Sequence, residues 1–110
     1  MLGHPTGRML LSREGYRVNI VKLIDAAARN KKIIELNSNP YRFDLDWRYL
    51  KYAKEKGVLI SINPDAHSAD KISDVFLGVS VARKGWLEKN DVLNTMPAKG
   101  ILDFFKARKP

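Results

Sequence analysis

Two short apolar runs, each cut off by a nearby proline, constrain the fold of this chain more than any other feature. Ile33-Ile34-Glu35-Leu36-Asn37 and Val58-Leu59-Ile60-Ser61-Ile62 read as β-strands. Pro40 prevents simple continuation of the first and biases Asn39 toward an extended backbone, and Asn63-Pro64 stops the second. Around them the periodicity is helical. Val18 to Arg29 carries Ile20, Val21, Leu23, Ile24, Ala27 and Ala28 in one broad stripe. Asp44 or Asp46 can cap a second helix that runs through Trp47, Leu50 and Ala53 to Gly57. A third starts at Ser68, sets Ile72, Val75, Phe76, Val79 and Ala82 along one face, and stops at Gly85. After a turn near Asp91, Ala98 to Lys106 forms the last helix, with Ile101, Leu102 and Phe105 inward.

Strands followed by helices of this length predict βα units and a parallel sheet, with a further strand possible just ahead of His4. In such folds ligand-facing groups sit at the carboxyl ends of the strands. That rule selects His4-Pro5-Thr6-Gly7-Arg8, Glu35-Leu36-Asn37 and Asn63-Pro64-Asp65-Ala66-His67, which include both histidines of the chain.

Composition narrows the chemistry. The chain has 110 residues, enough for one domain with one modest core. No stretch approaches the roughly 18 apolar residues of a membrane span, and no signal peptide is visible, so a cytoplasmic protein is expected. Without cysteine, any metal must be held by His and carboxylates. The net charge of +8 favours a polyanionic partner without saying which, and the basic residues are dispersed. Their densest cluster, Lys106, Arg108 and Lys109, reads as a solvated helix end.

Asp65 and His67 have the i, i+2 spacing that puts two side chains on one side of an extended segment. They can share a metal, or Asp65 can cap a turn while His67 merely precedes a helix. His4 is either a third ligand or a loose terminal residue. Arg8 offers a fork matched to phosphate oxygens, or a surface ion pair. Glu35 could orient a ligand histidine, or face away if the strand register slips by one. Asn37 and Asn39 suit a turn with Pro40, and Trp47 and Trp86 suit the core or helix packing. No phosphate-binding glycine loop, nucleophile elbow or cysteine nucleophile is present, so a metal-activated water is the chemistry these residues could serve.

Taken together, His4-Pro5-Thr6-Gly7-Arg8, Glu35-Leu36-Asn37-Ser38-Asn39-Pro40, Asp44-Leu45-Asp46-Trp47-Arg48 and Asn63-Pro64-Asp65-Ala66-His67 resemble the last part of the polymerase-and-histidinol-phosphatase (PHP) domain. The likeness is strongest to the version carried by bacterial and archaeal family X DNA polymerases. Val81-Ala82-Arg83-Lys84-Gly85-Trp86-Leu87 and Asp91-Val92-Leu93-Asn94-Thr95 extend it. The resemblance implies an α/β fold, a distorted (β/α)₇ barrel of parallel strands alternating with helices, only part of which this chain supplies as a single domain over 1–110. It implies metal binding by His4, Asp65 and His67, with manganese or zinc, or else iron, as the divalent ion. Arg8 and Glu35 lie in matching motifs as supporting residues, and Arg8, Arg83 and Lys84 are candidates for phosphate or nucleic-acid contact. The implied activity is phosphoester hydrolysis, at DNA 3′ ends in polymerase-linked versions.

The family also draws ligands from a His-x-His motif and further His and acidic residues on earlier strands, none of which occur here. Three ligands do not hold its trinuclear cluster. The chain is therefore expected to be a C-terminal segment, inactive or very weak alone. The expected partners are the N-terminal part of the barrel or the polymerase domains, with DNA, self-association through open strand edges, and no membrane. A non-catalytic half-barrel module and a histidinol-phosphatase-like enzyme are the alternatives.

Overall fold

The computed structural model describes residues 1–108; Lys109 of the basic tail lies outside them. Its elements in chain order are α1 (Ile20–Arg29), β1 (Ile34–Asn37), α2 (Leu50–Glu55), β2 (Ile60–Asn63), α3 (Val75–Lys84) and α4 (Ala98–Lys106). Short 3₁₀ turns occupy Trp47–Tyr49, Ala69–Asp74, Lys89–Asp91 and Leu93–Thr95. Asn19 caps α1 by accepting the Lys22 N–H at 3.0 Å. Of the two aspartates that could cap the second helical segment, Asp46 does so, accepting the Arg48 N–H. Among the described residues no helix is long and apolar enough to cross a membrane.

β1 and β2 pair in parallel, with Ile34 opposite Ile60 and Asn37 opposite Asn63. Single parallel pairings flank them, Leu2 beside Ile34 and Val92 beside Ile60. Four parallel segments thus lie side by side in chain order. Asn94 extends this ladder without backbone. Its Oδ1 accepts the Ile62 N–H and its Nδ2 donates to the Ile62 carbonyl, each at 2.8 Å. The core beneath the helices is made of Ile24, Ile34, Leu36, Leu45, Leu50, Ala53 and Ile60, all fully buried.

Three expectations need correction. The α3 stripe does not face the sheet as a whole: Val75, Gly78 and Ala82 turn inward, while Ile72, Phe76 and Val79 are 60%, 72% and 42% exposed. The cause is close approach. A Cβ at Gly78 would lie 2.4 Å from Ile62 Cγ2 and 2.5 Å from Ser38 Cβ, so only small side chains fit between helix and strand. In α4 it is Ile101 and Phe104 that are half-buried, whereas Leu102 and Phe105 are exposed. Only one edge of that stripe meets the body, next to Lys31, Lys32 and Ile33. Trp47 and Trp86 are surface residues rather than core, and cations cover them: Lys84 Nζ lies 4.7 Å from the Trp47 ring centroid and Lys51 Nζ 5.9 Å from that of Trp86.

Asp46 links this frame to pH. Arg48 grips its carboxylate through Nε and Nη2 at 3.0 Å each, and Arg8 Nη1 adds a contact at 2.9 Å. These hydrogen bonds, those of Arg48 foremost, hold the Asp46 carboxyl well below the usual carboxylate range. The unfolded chain therefore takes up this proton first as pH falls. The contribution to stability is complete above the unfolded value near ~3.9 and is lost as pH drops toward the folded one. A thermal melting series from pH 6 to pH 2 should show the midpoint falling below about pH 4, and Asp46→Asn should flatten that fall.

Candidate functional site

The two faces of the sheet differ in kind. Ile62 meets α3, and strand alternation places Ile34, Leu36 and Ile60 with it, leaving Glu35, Asn37, Ser61 and Asn63 on the opposite face. Glu35, Asn37 and Ser61 are nevertheless buried, at 8%, 0% and 5% exposure. Buried polar groups are costly unless partnered, and here they partner one another. Asn63 Nδ2 donates to Glu35 Oε1 at 2.9 Å, and Ser61 Oγ donates to Asn63 Oδ1 at 3.0 Å.

At the carboxyl end of this face the candidate ligands come together in part. The His4 N–H donates to Glu35 Oε2 at 2.8 Å, so Glu35 faces His4 and fixes the segment that carries it. Asn37 Nδ2 lies 3.3 Å from His4 Nδ1 and donates to Asp65 Oδ2, also at 3.3 Å. One buried amide thus joins two residues from distant parts of the chain. Arg42 Nε stands 3.4 Å from the same Asp65 oxygen. His67 Nδ1 is 2.8 Å from the Asp65 carbonyl oxygen. A carbonyl only accepts, so Nδ1 carries the proton in the neutral ring and Nε2 is left as the basic nitrogen. His4 and Asp65 both take left-handed backbone, at φ 45° and 54°. Such conformations cost non-glycine residues roughly 1–3 kcal/mol and concentrate at functional sites.

Arg8 does not reach into this site. Its Nε donates to the Arg42 carbonyl at 2.9 Å, Nη1 to Asp46 Oδ2 at 2.9 Å, and Nη2 to the Phe43 carbonyl. The fork that could hold a phosphate is spent on bracing the segment after β1. Arg83 and Lys84 are not brought to the site either. They form the last turn of α3, where Arg83 lines a hollow with Leu87 and Val92, the partner of the first residue of β2, and Lys84 lies over Trp47.

The alternation of Glu35 with Asn37 and of Ser61 with Asn63 is a legible sign of a polar sheet face, although Asn37 is first read as a turn residue. Asp44 leaves no such sign. It is fully buried, and it accepts the Thr6 N–H at 3.1 Å, the Thr6 hydroxyl at 2.9 Å and the Gly7 N–H at 2.9 Å. It therefore anchors the loop that leads from His4 to Arg8.

Imidazole and carboxylate donors of this kind suit manganese, zinc or iron. The donor types fit a divalent ion, but the number does not. Among the described residues no three His, Cys, Asp or Glu side chains gather into a metal-holding group.

No protein-family model matches the chain. It is 42% identical over 106 residues, 96% of its length, to the "DNA polymerase/3'-5' exonuclease PolX" of Bacillus subtilis (strain 168). Almost all of this chain is therefore similar to a stretch that makes up only 19% of that polymerase and exonuclease.

Proposed function

We propose that this chain is the closing segment of a PHP-type (β/α) barrel joined to a family X DNA polymerase. In this reading it lends His4, Asp65 and His67 to a metal-dependent phosphodiesterase site that acts at DNA 3′ ends. The observation that carries it is the meeting of His4 and Asp65 on Asn37 at the carboxyl end of a parallel sheet. Parallel neighbours in chain order support barrel winding, and the similarity to a protein named an exonuclease supports the substrate class.

The roles follow from the contacts. Asn37 and Arg42 hold the Asp65 carboxylate, Glu35 holds the backbone of His4, and His67 presents Nε2. Asp44 and Arg8 hold the loops between them. A bound divalent ion would supply an activated water for phosphoester attack. Because these donors are an incomplete set, the chain alone is proposed to be inactive or very weak, with the remaining ligands coming from the preceding part of the barrel.

Mixing the chain with that part of a homologous barrel and manganese should restore nucleotide release from a DNA 3′ end. His67→Ala should then lower the rate by about a hundredfold or more, since loss of even an outer partner of a metal ligand costs roughly 10–100-fold. Absence of any hydrolysis sensitive to His67→Ala sinks this reading.

A further inference from the structure

Beside the candidate ligands lies a cleft of about 110 Å³ lined by Pro40, Tyr41, Asp65, His67, Lys71 and Asp74. Tyr41 stands at its edge. The backbone of Tyr41 is pinned on both sides, its N–H donating to Asn39 Oδ1 at 2.9 Å and its carbonyl accepting the Leu10 N–H at 2.7 Å. Tyr41 is nonetheless 70% exposed. A flat aromatic surface on a fixed backbone loses little freedom when a base stacks on it, and every base offers a matching face. Lys71 is exposed and makes no ion pair among the described residues.

Building on the DNA 3′-end reading, we infer that this cleft receives the terminal nucleotide of a single strand, with its base stacked on Tyr41 and a phosphate oxygen held by Lys71. Arg42 and Lys71 offset Asp65 and Asp74, so the cleft has no strong net charge and stacking supplies most of the affinity. This accounts for an exposed aromatic next to candidate ligands without asking the dispersed surface charge to direct the strand.

The test is binding of a labelled oligothymidylate to the 110-residue chain in EDTA at low ionic strength, followed by fluorescence anisotropy. Tyr41→Ala should weaken binding about 5- to 150-fold, whereas Tyr41→Phe should keep it. Tyr16→Ala, at an exposed tyrosine outside the cleft, should change nothing. With an oligomer whose terminal nucleotides are abasic, Tyr41→Ala should have no effect. Lys71→Ala should reduce the slope of log K against log salt by about 0.7, the loss of one single-strand phosphate contact. Equal effects of the Tyr41 and Tyr16 variants, an unchanged salt slope, or no binding by the parent chain each overturn the inference. EDTA keeps this outcome separate from the hydrolytic reading: binding by the chain with no metal-dependent cleavage by the reconstituted barrel sinks that reading alone, and reconstituted cleavage untouched by Tyr41→Ala sinks this one alone.

Discussion

Asp44→Ala is expected to cost about 3–5 kcal/mol, a large share of the ~5–15 kcal/mol that holds a typical domain together. The carboxylate is fully buried, and its removal leaves the Thr6 N–H, the Thr6 hydroxyl and the Gly7 N–H without their acceptor. Each is a donor that exchanged water for this one group. Asp44→Asn should lose less, because its amide oxygen still accepts while its NH₂ opposes a donor. Urea unfolding of both variants checks the ranking, and a drop under 1 kcal/mol for Asp44→Ala would mean that the loop does not depend on it. The same variant should also free His4, so any metal-dependent activity of a reconstituted barrel should fall together with stability.

The second large effect belongs to Gly78. Alanine is the better helix former by about 1 kcal/mol, and on propensity alone Gly78→Ala would stabilise α3. Contacts of 2.4 and 2.5 Å to Ile62 and Ser38 decide otherwise, because real Cβ atoms do not approach so closely. The helix must lift from β2, and the expected net loss is about 3 kcal/mol, at the upper end of overpacking costs. For a chain of this size that lowers the melting temperature by roughly 12–15 °C. An unchanged or raised melting temperature contradicts the close approach of α3 to β2.

How far the sequence could be read depended on the range of the interaction. Proline stops, helical stripes and the Asp cap are local, and they place α1, β1, α2 and β2 to within a few residues. The Asp65–His67 spacing is local too, but Asp65 takes left-handed rather than extended backbone, and what joins the pair is the His67 ring on the Asp65 carbonyl, not two side chains set on one side of a strand. What sequence could not supply was the partner on another segment. Arg8 carries the chemistry of a phosphate ligand, yet Asp46 and two carbonyls occupy it. Asp44 carries the chemistry of a cap, yet it serves a loop that begins 38 residues earlier. The α3 stripe misled for a related reason, since hydrophobicity ranked Phe76 above Gly78 while the space beside Ile62 admitted only the glycine.

The clasp of Asn94 on the Ile62 peptide gives the sheet a direction of growth. With Ile60 paired to Val92 and Ile62 closed by an amide, the outward valences on that flank of β2 are satisfied. A strand arriving there would have to displace a side chain that already makes both hydrogen bonds. The other flank is different. Leu2 spends its N–H and carbonyl on β1, and alternation turns the backbone groups of Gly3 outward. Enlargement of this sheet, whether by a second polypeptide or by more of the same one, is therefore one-sided: it proceeds beside Leu2, next to the segment that bears His4, so a new strand would enter directly alongside the candidate ligands.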